Sequence, residues 1–137
     1  MSDQTSRPQR ARPLSPHIQI YRWTLTMMLS ILHRATGVAL YAGTILLAWW
    51  LLAAATGPEA YAQVQAVSSA WYGRLVLFGY SWALLHHMFG GLRHFIWDTG
   101  RGFDLAHVEL IARVTASAPI ILTVLVWVLA YAYMGAF

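Results

Sequence analysis

Three long stretches without a formal charge constrain this chain more than any other feature. Residues 35–58 lie uncharged between Arg34 and Glu59, Leu75 to Leu92 form a second such run, and Val114 to Phe137 form a third. About 20 residues rising 1.5 Å each are enough to cross a hydrocarbon core of about 30 Å. Each stretch therefore predicts a transmembrane helix, at about 28–55, 70–97 and 114–137. The expected fold is an all-α membrane protein: one membrane-anchor domain over 1–137, with three transmembrane helices and a short cytoplasmic N-terminal interfacial segment over 1–27.

The composition agrees and narrows the chemistry. Only 10% of the residues are charged and 58% are apolar, against about 25% charged in an ordinary soluble domain. The chain has no cysteine, which excludes disulfides, thiolate metal sites and cysteine-ligated iron–sulfur clusters within it. A metal here has to rest on histidine or carboxylate. The net charge of +4 comes from nine arginines with no lysine. They lie at the ends of the apolar runs, so they read as orientation charges and not as a nucleic-acid surface.

Three spans put the N-terminus and the 98–113 region on one side. Arg7, Arg10, Arg12, Arg22, Arg34, Arg93, Arg101 and Arg113 fall there, and only Arg74 falls on the other. Cytoplasmic loops carry the excess of basic residues, so the N-terminus is expected in the cytoplasm of a bacterial cell, with a mitochondrial matrix as the lesser alternative. Residues 1–13 contain no apolar core of signal-peptide type and read as a polar tail. Tyr21, Arg22 and Trp23 suit the headgroup level. Thr56-Gly57-Pro58-Glu59 stops the first span, residues 60–70 read as a far-side loop, with a short helical start to the second span as the alternative, and 103–113 as a charged connector that leads into the third helix.

Two clusters interrupt the apolar pattern. Ser30, His33, Arg34 and Gly37 recur at i, i+3, i+4 and i+7, one helical face near the cytoplasmic end of the first span. His87, Gly91 and His94 do the same in the second. An ionisable side chain at membrane depth marks a functional site by default, and a glycine one turn from an imidazole leaves room for a flat cofactor. One histidine does not hold a bare ion. His87 lies six residues inside Arg93, about 9 Å along the axis, which suits a b-type haem ligated at His87 with its propionates near His33 and Arg34. His86 points about 100° away from His87 and reads as a packing or hydrogen-bonding residue.

These segments resemble the cytochrome b membrane-anchor subunits of succinate dehydrogenase (succinate–ubiquinone oxidoreductase, respiratory complex II). The resemblance rests on Arg12-Pro13-Leu14-Ser15-Pro16-His17 with Ile18-Gln19-Ile20-Tyr21, on Ser30-Ile31-Leu32-His33-Arg34-Ala35-Thr36-Gly37, and on His87 followed by Gly91-Leu92-Arg93-His94, Trp97-Asp98 and Gly100. It implies that His87 is one axial ligand of a single haem b and that a second anchor subunit supplies the other ligand. It implies that Ser30 and Arg34 line a ubiquinone site, and that His33 and Arg34 contact haem propionates. It further implies docking of an iron–sulfur subunit and a flavoprotein subunit, which carry out the succinate chemistry. This chain then contributes to electron transfer from succinate to ubiquinone without touching the dicarboxylate. Two other readings of the same residues are a self-contained b-type cytochrome, binding haem between His33 or His86 and His87, and a membrane anchor without cofactor.

Overall fold

A computed structural model describes residues 12–135. Among these the architecture is wholly helical. A 3-10 turn at His17–Ile20 precedes α1 (Leu25–Thr56), α2 (Pro58–Ser69), α3 (Trp71–Asp98) and α4 (Leu105–Tyr133). Helices α1, α3 and α4 are long and apolar enough to cross a membrane. The tail at 1–11 and the end of the expected third span at 136–137 lie outside the described residues.

The packing is that of a protein whose solvent is lipid. Most large apolar side chains face outward, Val38, Ile45, Leu52 and Ile121 among them, while the buried set includes Thr36, His86, Arg93, Thr115 and Thr123. Small residues let the helices approach. A Cβ at Gly43 would overlap the Tyr80 ring, and one at Gly90 would overlap the His33 ring. The buried hydroxyls are satisfied within their own helices: Thr115 donates to the Ile111 carbonyl at 2.8 Å and Thr123 to the Pro119 carbonyl at 2.7 Å. Helix α3 is the centre of the bundle, packed on both α1 and α4, while α2 bridges the far ends of α1 and α3.

Two expectations about connectors are corrected. Residues 58–69 form a helix and not a loop. Pro58 occupies its first turn, where a missing N–H costs nothing, and Gly57 makes the corner at φ 138°. The helix that carries the third span starts well before 114. It begins at Leu105, with Asp104 as N-cap, so most of the expected connector is helix. Its charges lie on an exposed face, with Glu109 and Arg113 paired at 3.0 Å across one turn. Pro119 consequently falls in the middle of α4 and not near its start.

The Asp104 cap is pH-sensitive in a defined direction. Its carboxylate accepts from the His107 backbone N–H at 3.1 Å and from His107 Nδ1 at 2.6 Å. These hydrogen bonds, the backbone one foremost, hold its carboxyl below the usual carboxylate range. A depressed carboxyl stabilises the folded helix start above its ordinary pKa and loses that contribution as pH falls through the depressed value. Asp104→Ala is expected to reproduce the acid effect at neutral pH, as faster amide hydrogen exchange at residues 105–108 with the rest of α4 unchanged.

Candidate functional site

The register of α1 against α3 sets the level of every polar residue. His33 meets Gly90, and ten residues further along α1 Gly43 meets Tyr80, ten residues back along α3. Extending this antiparallel register places Thr36 level with His87, Arg34 level with Phe89, and Ser30 level with Arg93. Arg34 and Arg93, both near the expected cytoplasmic ends of their spans, do not share a level. They are offset by four residues, about 6 Å along the axis.

His87 faces α1. Its ring stacks on His33 with centroids 4.1 Å apart and planes 8° from parallel. Its Nδ1–H donates to the His33 carbonyl at 3.1 Å, with the Thr36 hydroxyl 3.4 Å away. Because a carbonyl only accepts, this contact assigns the proton to Nδ1 and leaves the Nε2 lone pair free. Nε2 makes no hydrogen bond and is not among the buried unpaired atoms, so it opens to the surface of the bundle. This is how a metal-binding imidazole is held when its second nitrogen is oriented by a carbonyl. Gly37 lies close, its notional Cβ 3.1 Å from His87 Cε1, whereas Gly91 has nothing within 4 Å of its own. The bare helix face expected at Gly91 is present, and the tight approach is one residue earlier, at Gly90.

Ser30 is half-buried and Arg34 exposed, four residues apart on α1. The helical repeat projects both toward the flank of the α1/α3 pair on which Gly91 lies. His33 sits between, half-buried, with Nε2 buried and unpaired and its ring 5.3 Å from that of His94. The structure thus gathers His33, His87 and Gly91 within about one helical turn of each other along the axis, with Ser30 and Arg34 beside them.

The opposite flank of α3 carries features that charge counting missed. His86 is 1% exposed, packs against Trp82 and has neither ring nitrogen hydrogen-bonded. Arg93, expected at the interface, is 3% exposed, with its guanidinium 4.9 Å over the Trp97 ring. The spacing His86, Gly90, Arg93, Trp97 is one helical stripe, and that signal was available in the sequence. A cavity of about 510 Å³ lies at the far end, lined by Trp49, Trp50, Val64, Tyr72 and Tyr80. It offers no charged or metal-ligating side chain. Among the described residues no group of three or more histidine or acidic side chains converges.

Comparison with known proteins decides the family. Residues 8–130 match the succinate dehydrogenase/fumarate reductase transmembrane subunit family. The chain belongs to that family. Among members of the transmembrane-subunit family, it is 39% identical over 122 residues to a succinate dehydrogenase cytochrome b556 subunit of Paracoccus denitrificans, covering 89% of this chain and 94% of the relative. A cytochrome b556 subunit of Rickettsia prowazekii is 39% identical over 117 residues, covering 85% and 91%. A mitochondrial cytochrome b560 subunit of Sus scrofa is 42% identical over 98 residues, covering 69% of this chain and 57% of its own length. Membership makes this chain a membrane component of an oxidoreductase complex. Its polar interior is then a place to look for redox groups.

Proposed function

We propose that this chain is the haem b-binding membrane anchor of a succinate dehydrogenase, forming part of the site where ubiquinone is reduced. The observation that carries the reading is the His87 imidazole, with its tautomer fixed by the His33 carbonyl and its Nε2 free beside the open helix face at Gly91. The cytochrome b names of the relatives support the same group. The residues present fit it. A bis-imidazole haem b stores one electron at a potential tuned by its ligands and their hydrogen bonds.

His87 would hold the iron through Nε2. His33 and Arg34, within about one turn of its level, would meet the propionates. The second ligand would come from another subunit, since neither of the two histidines packed nearest to His87 in the bundle suits the role. His33 lies face to face with His87, so the lone pairs of the two rings lie in parallel planes and do not converge on one metal. His86 is enclosed on the opposite flank. This geometry disfavours the self-contained cytochrome.

Ser30 and Arg34 would serve the quinone. The hydroxyl donates to a carbonyl oxygen. The guanidinium stabilises the negative charge that builds on that oxygen as electrons arrive, and such a preoriented donor acts strongly in a low-dielectric site. The cytoplasmic ends of the helices would dock the iron–sulfur subunit, and through it the flavoprotein. The arginine distribution orients the N-terminus to the cytoplasm, and the bacterial relatives favour the inner membrane of a bacterium.

The test separates quinone chemistry from assembly. Ser30→Ala and Arg34→Leu are expected to slow quinone reduction, by roughly 10²-fold for loss of the charged donor. Succinate-to-dye electron transfer, which bypasses the membrane site, should stay within about twofold of the parent. Equal loss of both activities would assign these residues to assembly and remove the quinone site from this face.

A further inference from the structure

Arg93 is a cation enclosed in a membrane bundle with no counter-charge among the described residues. It is 3% exposed. Its Nε and Nη1 find no acceptor. The ion pairs among the described residues are His107 with Asp104 and Arg113 with Glu109, both exposed, and neither involves Arg93. Its guanidinium lies over the ring of Trp97, whose own Nε1 is also buried and unpaired. Guanidinium keeps its proton in proteins, so the charge is present whatever the pH.

The α3–α4 contacts show what lies beside it. Arg74 sits over Tyr131 and Trp127 donates to Ser81 at 3.2 Å. This register brings the Ala112–Thr115 turn of α4 level with Arg93. Both residues are buried. Pro119 lacks an N–H and leaves the Thr115 carbonyl without its helical donor. Arg93 Nε and Nη1 make no hydrogen bond to it, so it leaves the charge uncancelled. An uncancelled charge in a medium of low polarisability acts at a distance.

We propose that Arg93 is a field-setting residue for the redox site on the other flank of α3: its unpaired buried charge favours the reduced state of the group held at His87. This rests on the haem reading above. Arg93 makes no hydrogen bond or ring contact with His87, Ser30 or Arg34; its ring contact is with Trp97. It lies six residues from His87, about 9 Å along the axis. A unit charge at about 10 Å in an effective dielectric near 20 changes a one-electron reduction equilibrium roughly tenfold. The sign is fixed, because positive charge stabilises the state that has gained an electron.

The experiment is a redox titration of the haem in the complex purified with its partner subunits. Arg93→Gln is expected to keep haem and to lower the reduction equilibrium constant roughly tenfold. Arg93→Lys, which keeps the charge and loses the planar stack on Trp97, should stay within about twofold of the parent. A merely structural role would move both variants alike. If Arg93→Gln retains haem and titrates like the parent, the field is cancelled in the complex and the inference is overturned. Should that variant not assemble, Thr115→Asp supplies a carboxylate beside an intact Arg93. It should lower the constant in the same direction, with Thr115→Asn as its neutral control, and no shift between the two overturns the inference. His87→Ala separates this from the parent reading: haem retained in that variant removes the ligand assignment itself, independently of what Arg93 does.

Discussion

Replacing His87 with alanine is expected to remove haem b from the assembled complex while leaving the three spans in place. The helix itself loses little. Alanine is the best helix former, and α1 still packs on α3 through Gly43 against Tyr80 and Gly90 against His33. The lost hydrogen bond to the His33 carbonyl is worth about 1 kcal/mol net, small beside the packing of two helices. An iron held as proposed would, by contrast, lose the ligand assigned to it from this chain. The b-type absorption band of the dithionite-reduced complex should fall below about a tenth of the parent's, a loss of at least about 1.4 kcal/mol in binding, at unchanged subunit stoichiometry. His86→Ala is the matched control. Its ring is enclosed on the flank away from the open face, so it should lower thermal stability through the cavity it leaves and keep the band. A normal band in His87→Ala, or its loss only in His86→Ala, would overturn the assignment.

The adjacency of those two histidines shows how far the sequence reaches. A step of 100° along a helix says that they face different ways, but not which of them faces inward. That depends on where α4 sits, and the contact between α3 and α4 brings His86, Arg93 and Trp97 to the shared side. The same limit explains Arg93. Its position in the chain gave its level in the bilayer, and a basic residue at that level is ordinarily at the headgroups. Its direction around α3 sends it inward instead. The three spans were legible because a run without charge is a one-dimensional signal with a length threshold. Helix α2 was not, since its neutral and weakly polar residues over 58–69 carry neither the apolar run of a span nor a strong face. The start of α4 was hidden by treating charge as a mark of a connector. Asp104, His107, Glu109 and Arg113 fit the exposed side and the cap of a helix as well as they fit a loop.

Gly90 and Gly91 turn the site into a comparison between two neighbouring positions with opposite expected failures. A Cβ at Gly90 overlaps the His33 ring. A helical side chain has few other rotamers to take, so in Gly90→Ala the ring is driven from its stack on His87, or α1 and α3 separate. Overpacking of this kind costs about 1–3 kcal/mol and should appear as a lower melting temperature of the complex whether or not haem is bound. Gly91 has open space in front of it. Gly91→Leu therefore starts from a Cβ that meets nothing in this chain, and leucine favours the helix over glycine by close to 1 kcal/mol. Its bulk instead enters the face on which a flat ring would lie beside His87. Haem content should drop severalfold while helicity, measured by circular dichroism, is unchanged or slightly higher. Full haem content in Gly91→Leu would show that the macrocycle does not lie along this face, and the free Nε2 of His87 would then have to be approached from the turn on its other side.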